Sequence, residues 1–126
     1  MRSSKINFSN QTGEVLSGRL DLPADQDPHN FAIFAHCFTC TKDFSAVRNV
    51  SRALASEGFG VLRFDFTGLG DSDGNFSDTN FSSNVQDLIA AATFLEQNYK
   101  APSLLVGHSL GGAAVIFAGS EIPTVK

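Results

Sequence analysis

Leu104-Leu105-Val106-Gly107-His108-Ser109-Leu110-Gly111-Gly112-Ala113-Ala114 is the stretch on which the reading of the fold turns. Its first three residues form an apolar run without polar alternation, the signature of a strand covered on both faces. From Leu110 to Ala118 small and apolar residues predict a helix. Between them lies a G-x-S-x-G. A serine held in a sharp strand-to-helix turn needs neighbours without bulky side chains, and Gly107 and Gly111 meet that need. The small residues Gly112, Ala113 and Ala114 let the helix lie close to the sheet. Its N-terminus directs free N–H groups and partial positive charge toward the serine.

Working outward, the hydrophobic period switches repeatedly between two and about 3.6 residues. Lys5 to Phe8 and Val15 to Leu22 read as a hairpin about a turn at Asn10-Gln11-Thr12-Gly13. Phe31 to Ala35 is a second unbroken apolar run, expected in a parallel sheet. Phe44, Val47, Val50 and Leu54 recur at helical steps, with Gly58 as a stop. Gly60 to Phe64 returns to strand, and a polar Gly-rich loop covers 67 to 80. Phe81, Val85, Leu88, Ile89, Ala92 and Leu95 mark the next helix, with Ser83 and Gln86 at capping-box spacing. A hairpin followed by β-α-β-α-β-α predicts an α/β sheet with helices on both faces.

The composition sets bounds on function. With 126 residues the chain has room for one domain, and 42% apolar against 17% charged residues is a globular balance. The net charge of −4, with only Lys100 and Lys126 basic beyond Arg63, offers no stripe for nucleic acid or anionic lipid. The N-terminus lacks the apolar core of a signal peptide and no run is long enough for a membrane helix, so a cytoplasmic location is expected.

Two further motifs carry chemistry. His36-Cys37-Phe38-Thr39 follows the strand at 31 to 35, where a loop can supply a second oxyanion donor. That donor would be the Phe38 N–H, with Leu110 N–H as its partner; His36 would orient the loop rather than act as a base. Cys37-Phe38-Thr39-Cys40 is also a C-x-x-C, so a dithiol redox role for Cys37 and Cys40 is an alternative. Two thiols and His36 fall short of a zinc site. Asp65-Phe66-Thr67-Gly68-Leu69-Gly70-Asp71-Ser72-Asp73-Gly74 fails as a dinucleotide fingerprint, with Asp73 where glycine is needed, and as a calcium loop. Asp65 and the glycine turns are expected to brace the loop beneath the site. No cofactor or metal is expected.

Taken together, His36-Cys37-Phe38-Thr39, Asp65 to Ser72 and Gly107 to Gly112 resemble the first half of an α/β-hydrolase, across essentially the whole chain. The resemblance implies a sheet order in which the strand at 60 to 64 lies between the hairpin and 31 to 35, with the strand at 103 to 107 beyond. More narrowly the chain is similar to bacterial hydrolase domains fused to an OsmC-like domain, whose loop reads His-Cys-Phe-Thr-Cys. Many such relatives carry Arg at the position of Thr67, so a pairing made by that Arg is missing. The resemblance implies a serine hydrolase acting on a small acyl substrate, ester or peptide-like, with Ser109 as nucleophile. It also implies a triad ordered Ser, then Asp or Glu, then His. The histidines here are His29, His36 and His108, and the acidic residue beyond Ser109 is Glu121. The expectation is therefore an incomplete domain over 1 to 126, with Thr124-Val125-Lys126 opening a further strand and the fragment inactive alone. A non-catalytic binding or assembly module that needs a partner segment to complete its sheet is the other alternative, and the isolated chain is expected to self-associate through an open sheet edge.

Overall fold

The computed structural model describes residues 2–36, 41–108 and 110–125. Five strands form one sheet in the order β1-β2-β4-β3-β5. They are β1 (Arg2–Ser9), β2 (Val15–Leu22), β3 (Asn30–Ala35), β4 (Phe59–Phe64) and β5 (Leu104–Gly107). Helices α1 (Ser45–Ser56), α2 (Phe81–Asn98) and α3 (Leu110–Gly119) make the crossovers and the last element, and a 3₁₀ turn occupies Phe76–Asp78. The order is the expected one.

The hairpin pairs in register from Arg2 opposite Leu22 to Ser9 opposite Val15. Its turn is organised by Asn10, whose side-chain oxygen accepts from the N–H groups of Thr12 and Glu14 at 3.0 Å each. An Asn side chain that satisfies backbone donors in this way stands in for the missing ladder bonds of the turn. β2 joins β4 antiparallel, and β3 lies parallel to both β4 and β5.

Alternation along the parallel strands sorts two cores. Ile33, Ala35, Leu62 and Phe64 face α2 and α3, where they meet Leu88, Ala91, Leu95, Ala114 and Ala118. Phe34 and Val61 face the other way, onto Val47 of α1. The period of two therefore places one helix on one face and two on the other.

Three local expectations are corrected. Phe44 and Val50 stand exposed, while α1 buries Val47, Ser51 and Ala55. The buried stripe rotates because Ser51 Oγ donates to Asp21 Oδ2 at 2.5 Å beneath the helix. Beside the expected Val47, a satisfied Ser51 and the small Ala55 thus take the places of larger apolar residues. The capping box of α2 is Asn80 with Ser83, one step earlier than Ser83 with Gln86: Ser83 N–H donates to Asn80 Oδ1 at 2.8 Å and Asn80 N–H to Ser83 Oγ at 2.9 Å. Asn is among the best N-cap residues, so the cap forms where it stands. Thr124 and Val125 lie in a turn and extend no strand. There Thr124 Oγ1 donates to Pro102 O and Val125 N–H returns to Ile122 O.

The strand β5 is also less covered than its apolar run implies. Leu104, Leu105 and Val106 are half-buried, because among the described residues β5 ends the sheet and pairs with β3 alone. Beside it, Ile116 and Phe117 of α3 are 77% and 63% exposed, with the Phe117 ring edge-on to Phe81 at 5.2 Å.

Candidate active site

Parallel strands bring their C-terminal ends to one side of the sheet, where loops in open α/β folds collect binding groups. β5 ends at Gly107 and α3 starts at Leu110, so His108 and Ser109 make the whole connection. His108 N–H donates to Ala35 O at 3.1 Å, which sets the end of β5 directly beside the end of β3. The two motifs singled out in the sequence, one after each strand, therefore start from adjacent points. Leu110 opens α3, as a donor N–H at a helix start requires. Phe38, Cys37, Cys40 and Ser109 lie outside the described residues.

Beneath this corner lies a buried ionic cluster centred on Asp65, which follows β4. Its Oδ2 accepts from Lys42 Nζ at 2.8 Å and from Asp71 N–H at 3.0 Å, and its Oδ1 accepts from Lys42 N–H at 2.8 Å. His36 Nε2 stands 3.4 Å from Oδ1, and its ring lies edge-on to Phe66 at 5.4 Å. Asp65, His36 and Lys42 are all fully buried. Burial pushes the Asp65 carboxyl upward, but the bonds from His36, Lys42 and the two N–H groups outweigh it and hold the carboxyl well below its usual range. Lys42 also reaches Asp71 and Asp43, at 3.0 and 3.1 Å. Its ammonium, against the cost of burial, is held charged far above the usual lysine range. The bracing role expected of Asp65 is what these contacts perform, and the His36 ring is placed between Asp65 and Phe66.

A second charged group links this cluster to the sheet. Arg63 donates to Asp21 Oδ2 at 2.8 Å and to Lys42 O at 2.6 Å, between β4 and α1. Across the loop, Asp87 of α2 accepts from Thr67 N–H and Thr67 Oγ1, each at 2.8 Å to Oδ2. Asn10 of the hairpin turn donates to Thr67 Oγ1 at 3.0 Å. Thr67 thus occupies with hydrogen bonds the place where an Arg pairing was noted as missing.

Sequence reasoning missed Lys42, Arg63 and Asp87. A signal existed for Asp87, which lies on the same helical stripe as Leu88, Ala91 and Leu95, where a charged residue must find partners. Lys42 carried no such pattern, since a lysine beside an aspartate in a loop reads as solvated.

The remaining histidines are apart from this cluster. His29 precedes β3 at the opposite end of the sheet, bonded through its N–H to Gly58 O and edge-on to Phe59. His108 is exposed. Among the described residues no group of three or more His, Cys, Asp or Glu side chains is placed to hold a metal ion. No helix among them is long and apolar enough to cross a membrane.

The sequence profile of one family, described as serine aminopeptidase, S33, matches residues 28–126. The chain belongs to the serine aminopeptidase S33 family. Its fold, correspondingly, is the N-terminal part of an α/β-hydrolase. The esterase domain of a Rhodothermus marinus protein is 52% identical, with a TM-score of 0.82 over all of this chain and 48% of that one. Est1E from Butyrivibrio proteoclasticus, solved with ferulic acid bound, is 26% identical, with a TM-score of 0.87 over 96% of this chain and 49% of that one. Among curated proteins, the mouse mitochondrial palmitoyl-protein thioesterase ABHD10 is 34% identical over 74 residues, 59% of this chain and 24% of that protein. This S33 family member thus spans about half the length of the solved structures and about a quarter of the thioesterase.

Proposed function

We propose that this chain carries the nucleophile and oxyanion donors of a serine acyl hydrolase acting on esters or thioesters. Ser109 Oγ attacks the substrate carbonyl, and the N–H groups of Phe38 and Leu110 hold the oxygen that becomes negative. The observation that carries this reading is the two-residue connection from β5 into α3, set beside the end of β3 by the His108 N–H bond to Ala35 O. Esterases and a thioesterase among the similar proteins support the acyl class. The nucleophile needs a base, and no histidine follows Ser109 in these 126 residues. With His36 engaged by Asp65, residues 1–126 alone hydrolyse esters slowly. Losing the base costs about 10⁶ in kcat in a well-studied serine protease, and donors plus binding leave about 10³ to 10⁴ over water.

Prolonged incubation with a fluorophosphonate in imidazole buffer, which supplies from solution the base that no histidine after Ser109 provides here, followed by intact-mass and peptide mapping, tests the assignment. One adduct on Ser109, absent from Ser109→Ala, is expected. Adducts elsewhere, or none, would remove Ser109 from its role.

A second reading, an assembly module, is favoured by the unpaired edge of β5 with exposed Ile116 and Phe117 nearby. Leu104 to Gly107 includes neither charge nor proline, the usual protection of an edge. On this reading the isolated chain self-associates. Light scattering behind size exclusion over a concentration series checks it, and a monodisperse monomer at high concentration rejects it.

A further inference from the structure

The sheet has a second free edge, β1, at the opposite end from β5. Which of its backbone groups are free follows from the bonds around the hairpin. Asn10 N–H donates to Glu14 O at 3.0 Å, so Asn10 faces β2. Ser17, on β2, turns its backbone away from β1, donating to Ser72 Oγ and accepting from Asp65 N–H, each at 2.9 Å. Successive residues of a strand point these groups to alternate sides. Ser3, Lys5, Asn7 and Ser9 therefore present N–H and C=O outward, where β1 has no neighbour among the described residues. The strand pairs with β2 along its whole length without a bulge, and it contains no proline. Lys5 is the one charge in the outward row, while Arg2 is bound to Pro23 O at 3.0 Å. A long regular edge of this kind accepts a further strand. Beside it, between the end of β1 and α2, lies a groove of about 500 Å³ lined by Phe8, Ile89, Ala90 and Phe94, with Gln86 and Gln97 but no charged side chain.

We propose that β1 pairs antiparallel with β1 of a second copy of this chain about a twofold axis at Asn7, so that one sheet runs through both molecules. The contact is separate from the β5 edge and from Ser109. Outward-facing residues can pair only with one another, which leaves few registers. Lys5 opposite Lys5 sets like charges together. Ile6 opposite Ile6 leaves Phe8 against serine. Asn7 opposite Asn7 sets Lys5 against Ser9 and Phe8 against Ile6, each twice, because the contact is made by the same surface on both chains. In that register the half-buried Ile6 of each protomer is covered beside Phe8, at the groove of its partner. Apolar meets apolar and no like charges are opposed, and this self-match selects a second copy over an unrelated strand.

Light scattering behind size exclusion, over a concentration series, compares wild type with Asn7→Pro, Ser9→Lys and Ser9→Glu. The Asn7 N–H takes no part in the hairpin ladder, so proline there removes only the outward donor, and circular dichroism confirms folding. If Asn7→Pro does not fold, the two Ser9 variants decide. The dimer dissociation constant is expected to rise about tenfold or more in Asn7→Pro. Ser9→Lys sets a second cation against Lys5 and raises it about threefold or more, whereas Ser9→Glu lowers it by a similar factor at low ionic strength. Asn7→Cys, with Cys37→Ser and Cys40→Ser to remove other thiols, forms a disulfide between chains on oxidation. A wild type that stays monomeric to high concentration overturns the proposal. Association that Asn7→Pro leaves unchanged also overturns it, and belongs to the β5 edge. Sensitivity to Asn7→Pro without opposite shifts at Ser9 and without crosslinking overturns the twofold register and leaves the edge to a strand of another protein.

Discussion

Asp65 and Asp87 hold the same loop after β4 from two sides, and they do so by opposite electrostatics. Both are buried, 0% and 2% exposed. Asp65 faces the Lys42 ammonium and His36, whereas Asp87 receives only neutral donors from Thr67 and Asn10, with the Glu14 charge nearby. Burial pushes both carboxyls up. For Asp65 the bonds from His36, Lys42 and two backbone N–H groups reverse that push, and for Asp87 the bonds from Thr67 and Asn10 do not, so its carboxyl is held above the usual range. Burial sets the size of the stake in such a site, and the number and strength of the donors facing the carboxylate set its sign.

The same substitution at both positions gives the hardest test. Asp65→Asn leaves Lys42 buried without its main partner, which costs about 3–5 kcal/mol. Asp87→Asn keeps an oxygen to accept from Thr67 N–H and an amide to donate to Thr67 Oγ1, and stability at pH 7 changes by no more than about 1 kcal/mol. Urea denaturation of the two variants checks this, and equal losses would break the comparison.

Acid sharpens it further. The Asp65 contribution is present above its unfolded value near 3.8 and is lost as pH falls below that value toward the depressed folded one. Asp87 runs the other way. Its folded fraction binds a proton more readily than the unfolded chain, so stability relative to Asp87→Asn rises as pH falls through the raised value and is complete below about 3.8. Midpoints measured from pH 7 to 3 for wild type and Asp87→Asn should diverge in favour of wild type as the medium acidifies. Parallel lines would mean that Asp87 is not perturbed.

The smallest effect comes from giving Asp87 what Asp65 has. A cavity of about 110 Å³ beside Thr67 is lined by Glu14, Asp78 and Asp87 as well as Asn10 and Thr79. Thr67→Arg places a guanidinium among these three carboxylates and fills the space, at the loss of the Thr67 hydroxyl bonds. A gain of about 1 kcal/mol by urea denaturation is expected, since hydrogen bonds to charged groups outweigh the neutral ones they replace. A loss would show that the hydroxyl bonds matter more than the missing cation.

How far the sequence foretold these features follows from their range. The strands and the crossover helices were legible because apolar periodicity is local, whereas the sheet order followed from the family resemblance of the three motifs. Gly58, with φ of +94°, stops α1 where the pattern placed it. The stripe of α1 was misread because Ser51 is buried by a bond to Asp21, thirty residues earlier in the chain, and no local pattern records such a partner. Lys42 was invisible for the same reason, since its role depends on a carboxylate 23 residues away. Asp65 could be read as a brace from its place between strand and glycine turns, but which cation it would hold is a property of the folded corner.

Gly70 sits at φ +52°, and a Cβ built on it would lie 2.3 Å from Asp65 Oδ2. Real side chains do not approach that closely, so any residue with a Cβ at position 70 displaces the carboxylate. A side chain at position 70 is therefore incompatible with the salt link at 65 as it stands, and so with the reason for burying a lysine at 42. Three positions far apart in the chain are thereby one heritable unit, in which the smallest residue restricts what the two charged ones can become.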